Sequence, residues 1–253
     1  MKSFMLALQF ISRIHIFNVA FEEAAFGKAT RFFPLIGLIL GAITALLYRV
    51  CITVFPLEVT SALAILSMVL LTGGIHLDGF MDSMDGLFSG RDRERKLEIM
   101  KDSRIGAFGA VGLVSLFLVK YTVILNLPFD FIYPLLMLAP VISRWSMVIG
   151  IKFYPYLREQ GLGKLYSQYT GWIEFIFATV LVVLITIFLA GLPGLVMLLL
   201  AGLLAFLMYG RVYRQLGGLT GDIYGAVNEI TEVIVLLLSY PVLQYIPHIL
   251  IGF

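Results

Sequence analysis

"EFIFATVLVVLITIFLAGLPGLVMLLLAGLLAFLMYG", residues 174–210, carries a single charged side chain, Glu174. A bilayer core about 30 Å thick is crossed by roughly 20 apolar residues of helix rising about 1.5 Å each. The run is long enough for two crossings, and Gly191 and Pro193 interrupt it where a tight turn between helices is needed. It therefore reads as two spans, 174–190 and 193–210. Further apolar stretches predict spans at 32–50, 59–76, 105–125, 131–151 and 232–250; Lys120 and Arg144 interrupt two of them. Composition agrees, with 60% hydrophobic residues, 13% charged ones and a mean hydropathy of +0.98. A soluble domain of this size would have too little polar side chain to cover its surface. Residues 1–20 are moderately apolar, but Arg13 and His15 sit inside any would-be signal core and no small-residue cleavage site follows, so an interfacial or half-buried helix is expected. No linker, low-complexity run or repeat divides the chain. The expected fold is all-α: one integral membrane domain, 1–253, with about seven transmembrane helices.

Seven spans with an inside N-terminus leave 1–31, 77–104, 152–173 and 211–231 on the cytoplasmic side, and these hold 4, 6, 3 and 2 Lys/Arg, or 15 of 18. The other three are Arg49 at a span end and Lys120 and Arg144 within spans; the external loops carry none. The positive-inside rule then sets the orientation: a multi-pass protein of the inner membrane whose polar face meets the cytoplasm. The net charge of +2 serves that orientation and gives no reason to expect nucleic acid. A lone cysteine, Cys51, excludes an intrachain disulfide and a cysteine-cluster metal site.

Function is expected where charge meets the membrane. Residues 73–109 hold seven of 16 acids and six of 18 bases. Asp78, Asp82 and Asp85 are spaced i, i+4, i+7, which at about 100° per residue puts them within roughly 60° of arc on one helix face. Two carboxylates about 6 Å apart repel by roughly 3 kcal/mol at an effective dielectric near 20, so a cation among them is expected. Hard oxygen ligands suit Mg²⁺ or Mn²⁺. The apolar and small neighbours, Leu77, Gly79, Phe80, Met81 and Met84 among them, argue for acids held at membrane depth rather than a solvated helix. Downstream, Arg91–Glu98 reads as a solvated, ion-paired helix. "KDSRIG" places Lys101 and Arg104 before a helix start, a ready phosphate site; Asp102 or Ser103 could equally be a plain N-cap.

A second polar island, "GGLTGDIYGAVNEITEV", 217–233, puts Asp222, Gly225, Glu229 and Glu232 along one side of a helix, with Asn228 near Glu232. Acids entering a span without nearby Lys or Arg need a partner, and metal or substrate is the expected one. "YPYLREQGLGKLY" adds Arg158 and Lys164 in a glycine-containing segment that also reads as a solvated turn.

"HLDGFMDSMDGLFSGRDRERKLEIMKDSRIGAFG" and "GGLTGDIYGAVNEITE", flanked by "FISRIHIF", "ATRFFPLIG", "SRWSMV" and "YLREQGLGK", resemble the cobalamin synthase (adenosylcobinamide-GDP ribazoletransferase) family of vitamin B12 nucleotide-loop assembly. The resemblance runs through nearly the whole chain in order. It implies a Mg²⁺-assisted phosphoryl transferase: a ribose hydroxyl of α-ribazole, or of its 5′-phosphate, attacks the cobinamide-linked phosphoryl of adenosylcobinamide-GDP, and GMP leaves. The partners implied are those two substrates and the lipid bilayer, with a homo-oligomer or an association with other nucleotide-loop assembly enzymes left open.

Such a reaction needs the phosphoryl charge neutralised and a hydroxyl aligned. Asp78, Asp82 and Asp85, with Asp222 as a fourth ligand, are the candidate metal set. Lys101, Arg104 and Arg158 would hold phosphates and Asn228 substrate. Asp102, Glu229 and His76 are the candidate bases. Two rival readings share parts of this chemistry. CDP-alcohol phosphatidyltransferases use D-x-x-D-G, which Asp82-Ser-Met-Asp85-Gly86 matches, but Arg91 comes one position late and no D-x-x-x-D follows. A cation transporter could use the same acids, yet the acids cluster at one face beside phosphate-type bases, and no inverted repeat with broken helices is evident.

Overall fold

The computed structural model describes residues 1–16 and 18–246. Among these, the regular elements are helices, and the one β feature is an isolated bridge between Tyr156 and Leu219. In chain order they are α1 (Lys2–Ile11), α2 (Glu23–Gly27), α3 (Phe33–Cys51), α4 (Leu57–Thr72), α5 (Ile75–Phe88), α6 (Arg93–Ile99), α7 (Ala107–Leu125), α8 (Ile132–Phe153), α9 (Leu162–Tyr169), α10 (Trp172–Leu216) and α11 (Gly221–Tyr245).

Five helical segments are individually long and apolar enough to cross a membrane, and the bent pair α4–α5 makes a sixth. A seventh crossing comes from α10. Its 45 residues would extend about 68 Å if straight, twice a bilayer core. Gly191 breaks it, with φ 55° and ψ −139°. The halves then return alongside each other. Trp145 on α8 donates from its indole to Thr179 on the first half, and its ring lies where a Cβ on Gly202 of the second half would fall. Phe153 likewise meets Phe175 and Phe206. The two spans read at 174–190 and 193–210 are thus one helical hairpin. Its exposed row, Ile173, Ile176, Val180, Leu184 and Ile187, recurs at helical spacing and faces the lipid.

α8 lies at the centre, packed on α3, α10 and α11. A Cβ on Gly37 would lie 2.3 Å from the Pro140 carbonyl oxygen and one on Gly41 2.7 Å from Met137 Cα, so glycine lets α3 and α8 touch backbone to backbone. α1 is half-buried, with Leu6, Ala7, Leu8 and Ile11 inward, as expected for the N-terminal segment.

Two span boundaries differ from expectation. The stretch 59–76 does not run through: Gly73 and Gly74, at φ 65° and 73°, stop α4 and restart the chain as α5, bent by 94°. Left-handed backbone of this kind is a glycine conformation, and two in succession break a helix. The last span begins at Gly221, not at 232, because Thr220 caps α11 by accepting from Ile223 N–H. Residues 247–250 of the expected span 232–250 lie outside the described residues.

The four base-rich segments meet at one end of the bundle. Phe10 of α1 and Phe26 of α2 pack on Tyr166 of α9, and Thr30 shares a hydrogen bond with Thr170. Arg93 of α6 donates to the Leu216 carbonyl, Leu157 N–H donates to the Leu219 carbonyl and Leu219 N–H to that of Pro155, with the bridge beside them.

Candidate active site

α5 places the three acids of the first motif in the groove between the beginnings of α7 and α11. Asp78 is exposed, Asp82 half-buried and Asp85 buried. Asp85 uses both carboxylate oxygens on α7: it accepts from Gly106 N–H at 2.7 Å and from Gly109 N–H at 2.8 Å. The approach requires glycine at both positions, since a Cβ there would lie 2.3 and 2.5 Å from the carboxylate. Asp85 therefore caps α7 from another helix. Neither Asp102 nor Ser103 is its N-cap, which is Gly106, and two of the N–H groups at this helix start, those of Gly106 and Gly109, are taken by a buried carboxylate.

On the other side, α5 meets α11 with no side chain between them. A Cβ on Gly79 would fall 2.8 Å from Asp222 Cα, and one on Gly225 would fall 3.1 Å from the His76 carbonyl oxygen. This contact unites the two polar islands. Asp82 interacts electrostatically with Asp222, Asp78 and Asp85 and with the cation Arg158, and Asp222 interacts with Asp78. Arg158 donates to Asp222 at 2.5 Å and to the Met100 carbonyl at 3.3 Å, and Thr220 donates to Asp222 at 3.2 Å. The expected phosphate-holding arginine and the expected fourth ligand are thus paired with each other. Among the described residues Asp78 and Asp82 accept no side-chain hydrogen bond, and no group of three or more His, Cys, Asp or Glu lies at metal-binding distance. Beside Asp78, at the break between α4 and α5, is a cavity of about 490 Å³.

The acids further along α11 face elsewhere. Lys120 of α7 donates to Glu229 at 2.9 Å and to Glu232 at 2.8 Å, all three buried. Arg144 of α8, fully buried, donates to Glu232 and to Ser143. The partner that these acids need is supplied by two cations from neighbouring spans, not by metal or substrate. A charge in hydrocarbon is stable only when paired, and the two bases that interrupt their spans are the pair. Glu229, expected as a candidate base, is placed in this buried ion-paired group.

The other candidates separate as clearly. His76, two residues before Asp78, points about 200° around the helix from it, is buried, and lies near the Arg144–Glu232–Lys120 group with Nδ1 unpaired. Asn228 is fully buried with neither amide atom paired. Asp102 is clamped by Arg104, whose guanidinium donates to it at 2.6 and 3.0 Å. Those hydrogen bonds push its carboxyl down to about 2, which makes it a weak proton acceptor. Lys101 is exposed in the same turn.

The protein-family model described as cobalamin-5-phosphate synthase matches residues 3–240. The chain belongs to the cobalamin-5-phosphate synthase family. Among its relatives, the adenosylcobinamide-GDP ribazoletransferase of Desulfitobacterium hafniense is 40% identical, covering 96% of this chain and 98% of its own. That of Desulforamulus reducens is 37% identical over 94% and 95%, and that of Acetivibrio thermocellus 33% over 95% and 98%. No solved structure matches. The match covers both polar islands.

Sequence reasoning missed three features of this family member's site. Lys120 and Arg144 were visible as charges inside spans, and that was the signal that they pair with the buried acids. Arg13, on the cavity wall, was visible as a charge in the apolar N-terminal segment and within "FISRIHIF", without a role.

Proposed function

We propose that the protein joins adenosylcobinamide-GDP to α-ribazole, or to α-ribazole 5′-phosphate, with release of GMP, at the cytoplasmic face of the inner membrane. The observation that carries this reading is the Gly79–Asp222 contact, which brings Asp78, Asp82, Asp222 and Arg158 into one electrostatic group next to a cavity. Family membership and the relatives' names support the chemistry. The 15 of 18 bases gathered in the segments at this end support the orientation.

The donors have the chemistry that Mg²⁺ takes, hard carboxylate oxygens of like charge beside an arginine suited to phosphate, but the three carboxylates do not stand at metal-binding distance of one another here, so an ion would have to draw them together. Asp78, Asp82 and Asp222 would hold the ion, with Asp85 fixing α5 against α7. When bound, Mg²⁺ neutralises charge on the phosphoryl oxygens and the leaving group. Arg158, hinged between Asp222 and the Met100 carbonyl, turns to the diphosphate and stabilises the charge that develops as GMP departs. Lys101 and Arg104, both exposed, would draw the anionic substrates in. The attacking hydroxyl gives up its proton to the acid face, whose solvent-exposed member is Asp78. The broken α4–α5 span lets these acids stand at membrane depth while remaining open to water.

Asp82→Asn removes charge with almost no change in volume. It is expected to abolish Mg²⁺-dependent transfer in detergent while leaving thermal unfolding within a few degrees. Asp222→Asn is expected to raise the Mg²⁺ requirement and to be non-additive with Asp82→Asn, because ligands of one ion act as a unit. Additive losses with an unchanged Mg²⁺ midpoint would remove Asp222 from the ion.

A further inference from the structure

We propose that Arg13 is a phosphate-binding residue, and that the cavity it lines takes a nucleoside-sized phosphate ester, the acceptor of the transfer, with the ester's phosphate on the Arg13 guanidinium. This rests on the reading above, since it names the occupant of the space beside the acid face.

The cavity, about 490 Å³, lies over the break between α4 and α5. Its size is that of a small-molecule site, roughly 300–1,000 Å³, and favours the smaller of the two substrates. Phe10, Leu77 and Met81 give it apolar walls for a ring system, and Asp78 and Arg13 stand on its polar walls. A phosphorylated nucleoside has the matching pattern: an apolar base, ribose hydroxyls and a dianionic terminus a few bonds away. A hydroxyl near Asp78 and a phosphate on Arg13 would occupy one molecule's two ends.

Arg13 has its backbone held in place and its exposed side chain lying over the helix break. Its N–H donates to the Leu71 carbonyl at the end of α4 at 2.7 Å, and Ser12 bonds both the Leu8 carbonyl and Ile14 N–H. The side chain crosses the helix break so closely that a Cβ on Gly73 would lie 1.9 Å from its Nε. Gly74 beside it has nothing within 4 Å of its Cβ position, which keeps the floor of the cavity open. Among the described residues Arg13 has no ion pair, although Asp78 lines the same cavity. An arginine fork set against a cavity and not satisfied by the nearby carboxylate matches a bidentate oxyanion. The competing role is structural, with the cation facing the terminal carbonyls of α4.

The test uses the full-length protein in detergent with Arg13→Met and Arg13→Lys. Equilibrium dialysis without donor measures binding of α-ribazole 5′-phosphate and of unphosphorylated α-ribazole, and initial rates give KM for each. Arg13→Met is expected to weaken the phosphorylated acceptor by about tenfold or more, the scale of a lost charge-assisted hydrogen-bond pair, and to leave the unphosphorylated one within about twofold. Arg13→Lys is expected to fall between, by keeping the charge and losing the fork. Equal losses for both acceptors would assign Arg13 to structure and overturn the proposal, as would unchanged binding of both. If Arg13→Met does not fold, the comparison of the two acceptors in Arg13→Lys decides in the same way. Failure of the unaltered protein to transfer to either acceptor would instead overturn the functional reading, and that result is separate from the dialysis.

Discussion

Asp85 and Asp82 differ by three positions, and their surroundings give them different work. Asp85 is spent on two N–H groups of α7, whereas Asp82 stands among other carboxylates with no hydrogen-bond donor on it. The same division holds on α11, where Asp222 faces the groove and Glu229 and Glu232 close on Lys120 and Arg144. A buried pair is costly to break, because removing one partner strands the other's charge at about 3–5 kcal/mol. Lys120→Met is therefore expected to lower the thermal unfolding temperature in detergent markedly, and Lys120→Met with Glu229→Gln to recover part of the loss. Unfolding of Lys120→Met at the temperature of the unaltered protein would show that the network is not holding α7 to α11. The acid triplet was legible as one helical face in the sequence. Which of its members is committed to a backbone was not, because Gly106 and Gly109 lie more than 20 residues away and meet Asp85 only after folding.

At the scale of elements, the contact of α5 with α11 is set by glycine. A Cβ on Gly79 would meet Asp222 backbone at 2.8 Å, and backbone cannot rotate out of the way as a side-chain tip can. Gly79→Ala is expected to push α5 outward and move Asp82 relative to Asp222. A misplacement of about 1 Å in a reacting constellation can cost on the order of 100-fold in rate. Gly221→Ala, where nothing lies within 4 Å, is expected to keep near-normal turnover. Initial rates and unfolding curves of the two variants check this, and equal activity in both would dismiss the close approach as a requirement. The span pattern foretold α7 and α8 to within a few residues and α10 as two spans, the second ending at 210 where the helix continues to Leu216. It did not foretell the break at Gly73 and Gly74, since hydropathy averages over a helix and its bend alike.

Across the whole molecule, the four base-rich segments lie at one end and the loops 52–56 and 126–131 at the other. With that end inside the cell, cysteines introduced at 95 and 164 are expected to be shielded from impermeant thiol reagents in intact cells, and one at 129 to react. Labelling at 95 from outside would reverse the orientation and place the acid face on the wrong side for a nucleotide substrate.

The sequence by itself determined the class, the membrane, the family resemblance and the two polar islands, because hydropathy and helical periodicity are local properties read directly from residue order. It also contained the cations that neutralise the buried acids. Only the tertiary structure decided the partners: Asp85 with α7, Glu229 and Glu232 with Lys120 and Arg144, Asp222 with Arg158, and Arg13 over the α4–α5 break. Each of those pairings joins residues far apart in the chain. In a low-dielectric interior a charge takes whichever opposite charge or dipole the packed backbones bring within reach, and spacing along one helix does not record what the neighbouring helix presents.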